Sequence, residues 1–195
     1  MHGDRFFEDL EHQLDAEWEA ERAALDSEAE RVRISRLTLR DRLSALVGEL
    51  PIGLDLVSGE PAQGRLWAVG ADWAGMEGPR GSHLLVPLAA IRGIRLPLPD
   101  LLLSTRADAA AARRSVAERM GLGFVLRAVA RRRLPVLVRL DRDREVTGTI
   151  DRAGADHLDL ALHPGDAPRR AEEVSGFAIV PFAAIVAIRV DERPV

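Results

Sequence analysis

The chain has 195 residues, a formal net charge of −4 and no cysteine. Because cysteine is missing, disulfides, thiol nucleophiles and thiolate metal sites are excluded. Hydrophobic residues make up 47% of the chain, which predicts a globular rather than a disordered protein. The charged N-terminus lacks the apolar stretch of a signal peptide, and no run of 18 apolar residues occurs. We therefore expect a cytoplasmic protein with no membrane partner.

Residues 1–35 are predicted to form an acidic N-terminal helix. They contain 11 acidic residues and 4 arginines, a local charge of −7. Apolar residues recur at helical spacing, and Trp18 lies in this stripe. Two interpretations are open: the helix covers the surface of the domain that follows, or it pairs with a second copy in a homodimer. Trp18 is a candidate protein-binding residue, since tryptophan is enriched in interaction hot spots.

The most informative feature of the chain is an internal repeat. Residues 50–76 align without a gap with residues 134–160. A second block, residues 83–96, aligns with residues 177–190, and the sequence Val-Pro-x-Ala-Ala-Ile occurs in both. Two matched blocks in the same order indicate that one structural unit is encoded twice.

Each copy is predicted to consist of five short strands. Apolar residues alternate with polar ones, and an interior glycine (Gly64 or Gly148) marks a sharp bend. A Gly-Ala-Asp hairpin follows, and a Val-Pro pair ends the fourth strand before one short turn. The fold class is therefore mainly β with helices (α+β), with two tandem five-stranded barrels. We place the first copy, with a short leading helix, at 36–97 and the second at 134–195.

This pattern resembles the Sm-like and SH3-like β-barrels. The layout is also similar to a group of uncharacterised actinobacterial proteins, through Leu-x-x-Arg-Leu at 39–43, Gly-x-Leu-x-x-Val-Gly-x-Asp-Trp at 64–73 and Val-Pro-Leu-Ala-Ala-Ile at 86–91. The pair at 92–93, Arg-Gly, resembles the second Sm motif. The resemblance implies a small bent barrel, and for Sm-like proteins it implies RNA binding.

A basic helical connector is predicted between the copies, at 98–133. It carries 8 arginines and 3 acidic residues, a local charge of +5. Helical order is expected over 108–119 and again over 124–133, with Gly121 and Gly123 forming a kink or a cap. Neutralising phosphates is one use of such a segment. The candidate nucleic-acid-binding residues are Arg127, Arg131, Arg132 and Arg133. The other interpretation is a solvated helix face, or a surface that receives the acidic helix.

Two tryptophans are predicted on the outward face of the first copy. Period two places Trp67 and Trp73 there, and the second copy has Asp151 and His157 at the equivalent positions. This difference predicts an apolar surface that only the first copy presents. Trp67 and Trp73 are therefore candidate protein-binding residues, unless the N-terminal helix covers them.

The sequence contains no recognisable catalytic constellation. His157 and His163, with Asp156 and Asp159, form the one cluster that could bind a metal, and a solvated strand face is the interpretation we favour. No nucleophile elbow or phosphate-binding loop occurs. We expect a non-enzymatic protein-interaction or assembly module with no catalytic residues, cofactor or metal. The alternative is a nucleic-acid-binding regulatory protein that uses the arginine-rich connector.

Overall fold

The computed structural model describes residues 2–49, 51–78, 81–106, 119–142, 144–165 and 170–192, without the side chains of residues 2–17 and 20. The chain divides into two compact units, Met1–Thr38 and Leu39–Val195. The aligned blocks of both copies lie in the second unit, and residues 36–38, which were predicted to belong to the first copy, lie in the first unit.

The first unit is one helix, α1 (His2–Ser35), as the sequence predicted. Ion pairs three residues apart support its exposed surface, and in one of them Arg33 Nη2 lies 2.6 Å from Glu30 Oε1. Trp18, whose side chain is 65% exposed, lies near its middle. Within the described residues, none of the helices combines the length and the apolar character that crossing a membrane requires.

The second unit alternates short helices with the strands of the two copies. The first copy comprises α2 (Leu39–Ala45), β1 (Ile52–Leu56), β2 (Pro61–Gly64), β3 (Leu66–Val69), β4 (Trp73–Glu77), β5 (His83–Pro87) and β6 (Ile91–Arg95). The connector contains α3 (Leu98–Leu103) and α4 (Leu122–Arg132). The second copy comprises β7 (Pro135–Leu140), β8 (Glu145–Ala153), β9 (His157–Leu162), β10 (Gly176–Pro181) and β11 (Ile185–Val190). A single 3₁₀ turn precedes the last strand of each copy, Leu88–Ala90 in the first and Phe182–Ala184 in the second.

The strands form two antiparallel sheets rather than two separate closed barrels. The smaller sheet has the order β2-β1-β6, and the larger has the order β10-β9-β8-β7-β11-β5-β4-β3. The expectation of two self-contained barrels is therefore corrected, because the larger sheet runs through both copies. The two copies join where β5 pairs with β11. This pairing satisfies backbone groups that each copy alone would leave unpaired at a sheet edge.

The interior glycines have the same surroundings in the two copies. A methyl group added to Gly64 would overlap the carbonyl oxygen of Glu77, and one added to Gly148 would overlap that of Ala161. These two oxygens occupy equivalent positions in the repeat, on β4 in the first copy and on β9 in the second. The bend that the sequence predicted at each glycine thus coincides with a close approach of two backbones.

Two hydrophobic cores result, and each contains residues from both copies. The first core is built mainly from α2 and strands of the first copy, and it also contains Val186 and Ala187 of β11. The second core is built mainly from α4 and the second copy, and it also contains Trp73 and Leu85 of the first copy. The copies are therefore packed through shared cores as well as through a shared sheet.

The connector is only partly described. The helix expected at 108–119 falls largely on residues 107–118, which lie outside the described residues. The later helix is confirmed as α4, and Gly121 occupies its N-cap position. The short helix α3 was not predicted: a proline in its first turn, where no backbone donor is needed, suits a helix start.

Candidate functional site

The predicted outward tryptophans lie at the junction between the copies. The rings of Trp67 and Trp73 contact each other with centroids 5.6 Å apart and planes inclined by 51°. Trp73 belongs to the second core and is fully buried. Its indole Nε1–H donates to the carbonyl oxygen of Met120 at 2.9 Å. The expectation that Trp73 is exposed is therefore wrong, although its side chain does point away from the core of its own copy.

The start of α4 is fixed on the hairpin that carries Trp73. The backbone N–H of Leu122 donates to Asp72 Oδ1 at 2.6 Å, and that of Ala71 donates to the carbonyl oxygen of Met120 at 3.0 Å. Asp72 thus accepts a hydrogen bond from a helix N-terminus, where free backbone donors favour a carboxylate. This contact, together with the packing of Leu122 and Trp73 in one core, covers Trp73 on the outward face of the first copy, whereas Trp67 stays partly buried.

The equivalent face of the second copy is not covered in this way. Asp156, the counterpart of Asp72, has an exposed side chain whose Oδ1 lies 2.9 Å from Nδ1 of His157. The hydrogen bond to His157 lowers the pKa of the Asp156 carboxyl below its usual value. His157 replaces the buried Trp73, so this position has become polar at the surface. Within the described residues, only the first copy has a hairpin carboxylate that accepts a helix N–H, whereas α4 contacts the second hairpin through Arg127, whose Nη1 donates to the carbonyl oxygen of Gly154 at 3.4 Å.

The free edge of β10 is the most exposed apolar feature of the second copy. Phe177 and Ile179 are 69% and 74% exposed. Their counterparts in the first copy are His83, which is half-buried, and Leu85, which is completely buried at the junction with β11. Among the described strands, β10 pairs only with β9. The strand β5 joins the first copy to the second, and its counterpart β10 is left as an open edge of the second copy.

Sequence reasoning missed this edge. Phe177 and Ile179 lie in a predicted strand, but residues 177–180 form a continuous apolar run, so the sequence does not show which of them are exposed. The sequence does not show which strand pairs with β5. The structure shows that β5 pairs with β11, and the strand of the second copy that corresponds to β5 is β10, which has no such partner among the described strands.

The arginine-rich connector forms a second candidate surface. A shallow groove of about 490 Å³ lies between α4 and β8, and it is lined by Arg127, Arg131, Arg133 and Arg152 among other residues. Three of the four predicted arginines are thus brought together, with Arg152 added from β8. Arg132 lies outside this set, with its Nη2 2.6 Å from Glu192 Oε2.

The histidine and aspartate cluster is divided between two environments. His163 is buried: its Nδ1–H donates to the carbonyl oxygen of Pro164 at 2.8 Å, and its Nε2 is hydrogen-bonded with the Thr149 hydroxyl at 2.8 Å. Both ring nitrogens are engaged, whereas His157 lies at the surface beside Asp156. In the described part of the chain, no group of three or more histidine, aspartate or glutamate side chains has an arrangement suited to a metal ion.

Trp18, the third predicted protein-binding residue, lies on α1 in the first unit. The candidate site of the second unit therefore consists of the β10 edge, with the arginine groove as a separate feature. Compared with protein-family models, curated proteins and solved structures, the chain matches none.

Proposed function

We propose that the chain is a non-enzymatic protein-interaction or assembly module whose adhesive surface is the free edge of β10. The observation that carries the proposal is the contrast between Ile179, which is 74% exposed, and its buried counterpart Leu85. An unpaired strand edge offers backbone donors and acceptors in a row, and neighbouring apolar side chains add desolvation energy when a partner strand is added.

Each copy is, in this proposal, a bent five-stranded unit of the Sm-like or SH3-like kind. Two facts support it. The second copy has the strand order β10-β9-β8-β7-β11, and the first repeats that order as β5-β4-β3 followed by β2-β1-β6. The break between β2 and β3 falls next to the bend at Gly64. A unit of this shape has a first and a last strand in the sheet order; within this chain β5 and β11 pair with each other, which leaves β10 and β6 for pairing with other chains.

A photo-crosslinking amino acid at position 179 tests the proposal. The benzophenone side chain of p-benzoylphenylalanine would replace Ile179 in the full chain, expressed in cells. The matched control places it at Val57, which is 42% exposed and follows β1. We expect a discrete covalent adduct from position 179 and none from position 57. Equal adduct formation from both positions, or none from position 179, would refute the role of β10.

Nucleic-acid binding is the second candidate function, and the groove of four arginines favours it. Guanidinium groups that converge on one groove neutralise phosphates and release counterions, which makes binding depend steeply on salt. In this case, the Arg131→Glu and Arg133→Glu double variant loses affinity for a single-stranded oligonucleotide at low salt. Arg132→Glu, outside the groove, serves as the control. If wild-type protein shows no binding at low salt, this candidate is rejected.

A further inference from the structure

We propose that β10 of one chain pairs with β6 of a second copy, so that chains associate head to tail. This inference rests on the proposed adhesive role of β10 and names its partner. It follows from a pairing that the chain already makes with itself, between β5 and β11.

The internal junction defines the pairing that we expect between chains. In it, β5 and β11 run antiparallel, with Leu85 opposite Ile188 and Leu84 opposite Arg189. The repeat relates β5 to β10 and β11 to β6. The same register between two chains therefore places Ile179 opposite Ile94, and Ala178 opposite Arg95.

Both strands required for this pairing have a free edge. Within the described residues, β6 is the terminal strand of the smaller sheet and β10 is the terminal strand of the larger one. The internal junction buries both Leu85 and Ile188 completely. Their counterparts are not completely buried, since Ile179 is largely exposed and Ile94 is partly buried. A second copy at this edge would bury Ile179 against Ile94, as Leu85 is buried against Ile188.

Charge also favours an association between unlike ends. Residues 36–97 carry 7 arginines and 6 acidic residues, a balance of +1, whereas residues 134–195 have a balance of −3. On β6, Arg92 is exposed and Arg95 forms an ion pair with Asp55 at 2.9 Å, while Asp159 lies on β9 next to β10. Opposite charges on the two faces attract, whereas two copies of the same face would repel each other.

The symmetry of this contact differs from that of a dimer through α1. A head-to-tail contact uses two different surfaces, so it leaves one of each free and continues to a ring or a filament. A contact between two identical helices uses the same surface twice and stops at two chains. The two forms of association can therefore be separated by mixing variants that are each blocked at one surface.

The absence of native cysteine makes such a mixing experiment direct. Ala178→Cys and Arg95→Cys would each place one thiol in a full chain. Residues directly opposite in an antiparallel pair have Cα atoms about 4.5–5.5 Å apart, within the range that a disulfide spans. Under mild oxidation, we expect the mixture to form a covalent dimer. Each variant alone has its thiols on only one of the two surfaces and stays unlinked.

Sedimentation velocity of the full chain provides the second measurement. We expect wild-type protein to associate as its concentration rises, and Ile179→Glu to sediment as one chain of 21.3 kDa. Val57→Glu makes a matched charge substitution at an exposed position after β1, on the side of β6 opposite its free edge, and should associate like wild type. Unchanged association of Ile179→Glu, or the lack of a mixed disulfide, would overturn the inference. If position 179 then crosslinks to a different protein, the adhesive role of β10 stands without the head-to-tail pairing.

Discussion

Asp72 provides the sharpest test of how the two copies are joined. Its carboxylate accepts the backbone N–H of Leu122 at 2.6 Å and so completes the N-terminus of α4 from a different part of the chain. Asp72→Ala removes this acceptor and leaves the N–H without its partner. Asp156→Ala makes the same change at the equivalent position of the second copy, where the side chain is exposed and accepts no helix N–H.

The expected loss follows from the hydrogen bond and its place at a helix end. Removing a side-chain acceptor at a helix N-terminus costs about 0.5–2 kcal/mol. Because Asp72 itself is largely exposed, we expect a loss of about 1 kcal/mol, which is near the middle of that range. For a unit of this size, the melting temperature then falls by about 2–4 °C. Asp72→Asn keeps an oxygen acceptor and should lose less, since only the charge at the helix dipole is removed.

Urea unfolding followed by tryptophan fluorescence measures this difference. In a Trp18→Phe background the signal comes from Trp67 and Trp73, which lie beside the contact. We expect a lower unfolding midpoint for Asp72→Ala and a smaller decrease for Asp156→Ala, which removes an exposed contact with His157. Equal midpoints for the two alanine variants would show that Asp72 does not hold α4, and the account of the junction would fail.

Two further predictions concern the repeat. Gly64→Ala and Gly148→Ala each force a methyl group into a backbone oxygen, so we expect each to cost about 1–3 kcal/mol in urea unfolding. Gly53→Ala, whose methyl group would meet only an arginine side chain at 3.6 Å, should change stability little; a comparable loss there would contradict the argument. The pKa of Asp156, measured by NMR titration, should lie below the usual aspartate value and return towards it in His157→Ala. A lowered pKa in the folded state means that this pairing favours folding above the unfolded pKa, and that the benefit is lost as pH falls through the folded value.

Local features of the fold were predictable because they depend on nearby residues. The alternation of apolar residues predicted the strands, and the recurring glycines predicted the two bends. The helix at 1–35 and the later connector helix followed from helical spacing, and both are present. The outward direction of Trp73 was also predicted correctly, since period two fixes which face of a strand a side chain occupies.

The relation between the copies was not predictable in the same way. Period two shows which face of a strand is apolar, but it does not say which strand lies beside it. Leu85 and Ile179 have the same place in the repeat and similar apolar side chains, yet one is completely buried and the other is largely exposed. The difference arises because Leu85 has Ile188 opposite it, over a hundred residues away in the chain.

This contrast also explains why exposure could not be assigned from the sequence alone. Trp73 was expected to be exposed because it points away from its own copy, and that reasoning treats a copy as complete in itself. The edge of β5 is paired with the second copy, whereas the edge of its counterpart β10 is open. A single copy is therefore not a complete structural unit by itself. The same reasoning underlies our proposal that a neighbour outside the chain completes the open edge at Ile179.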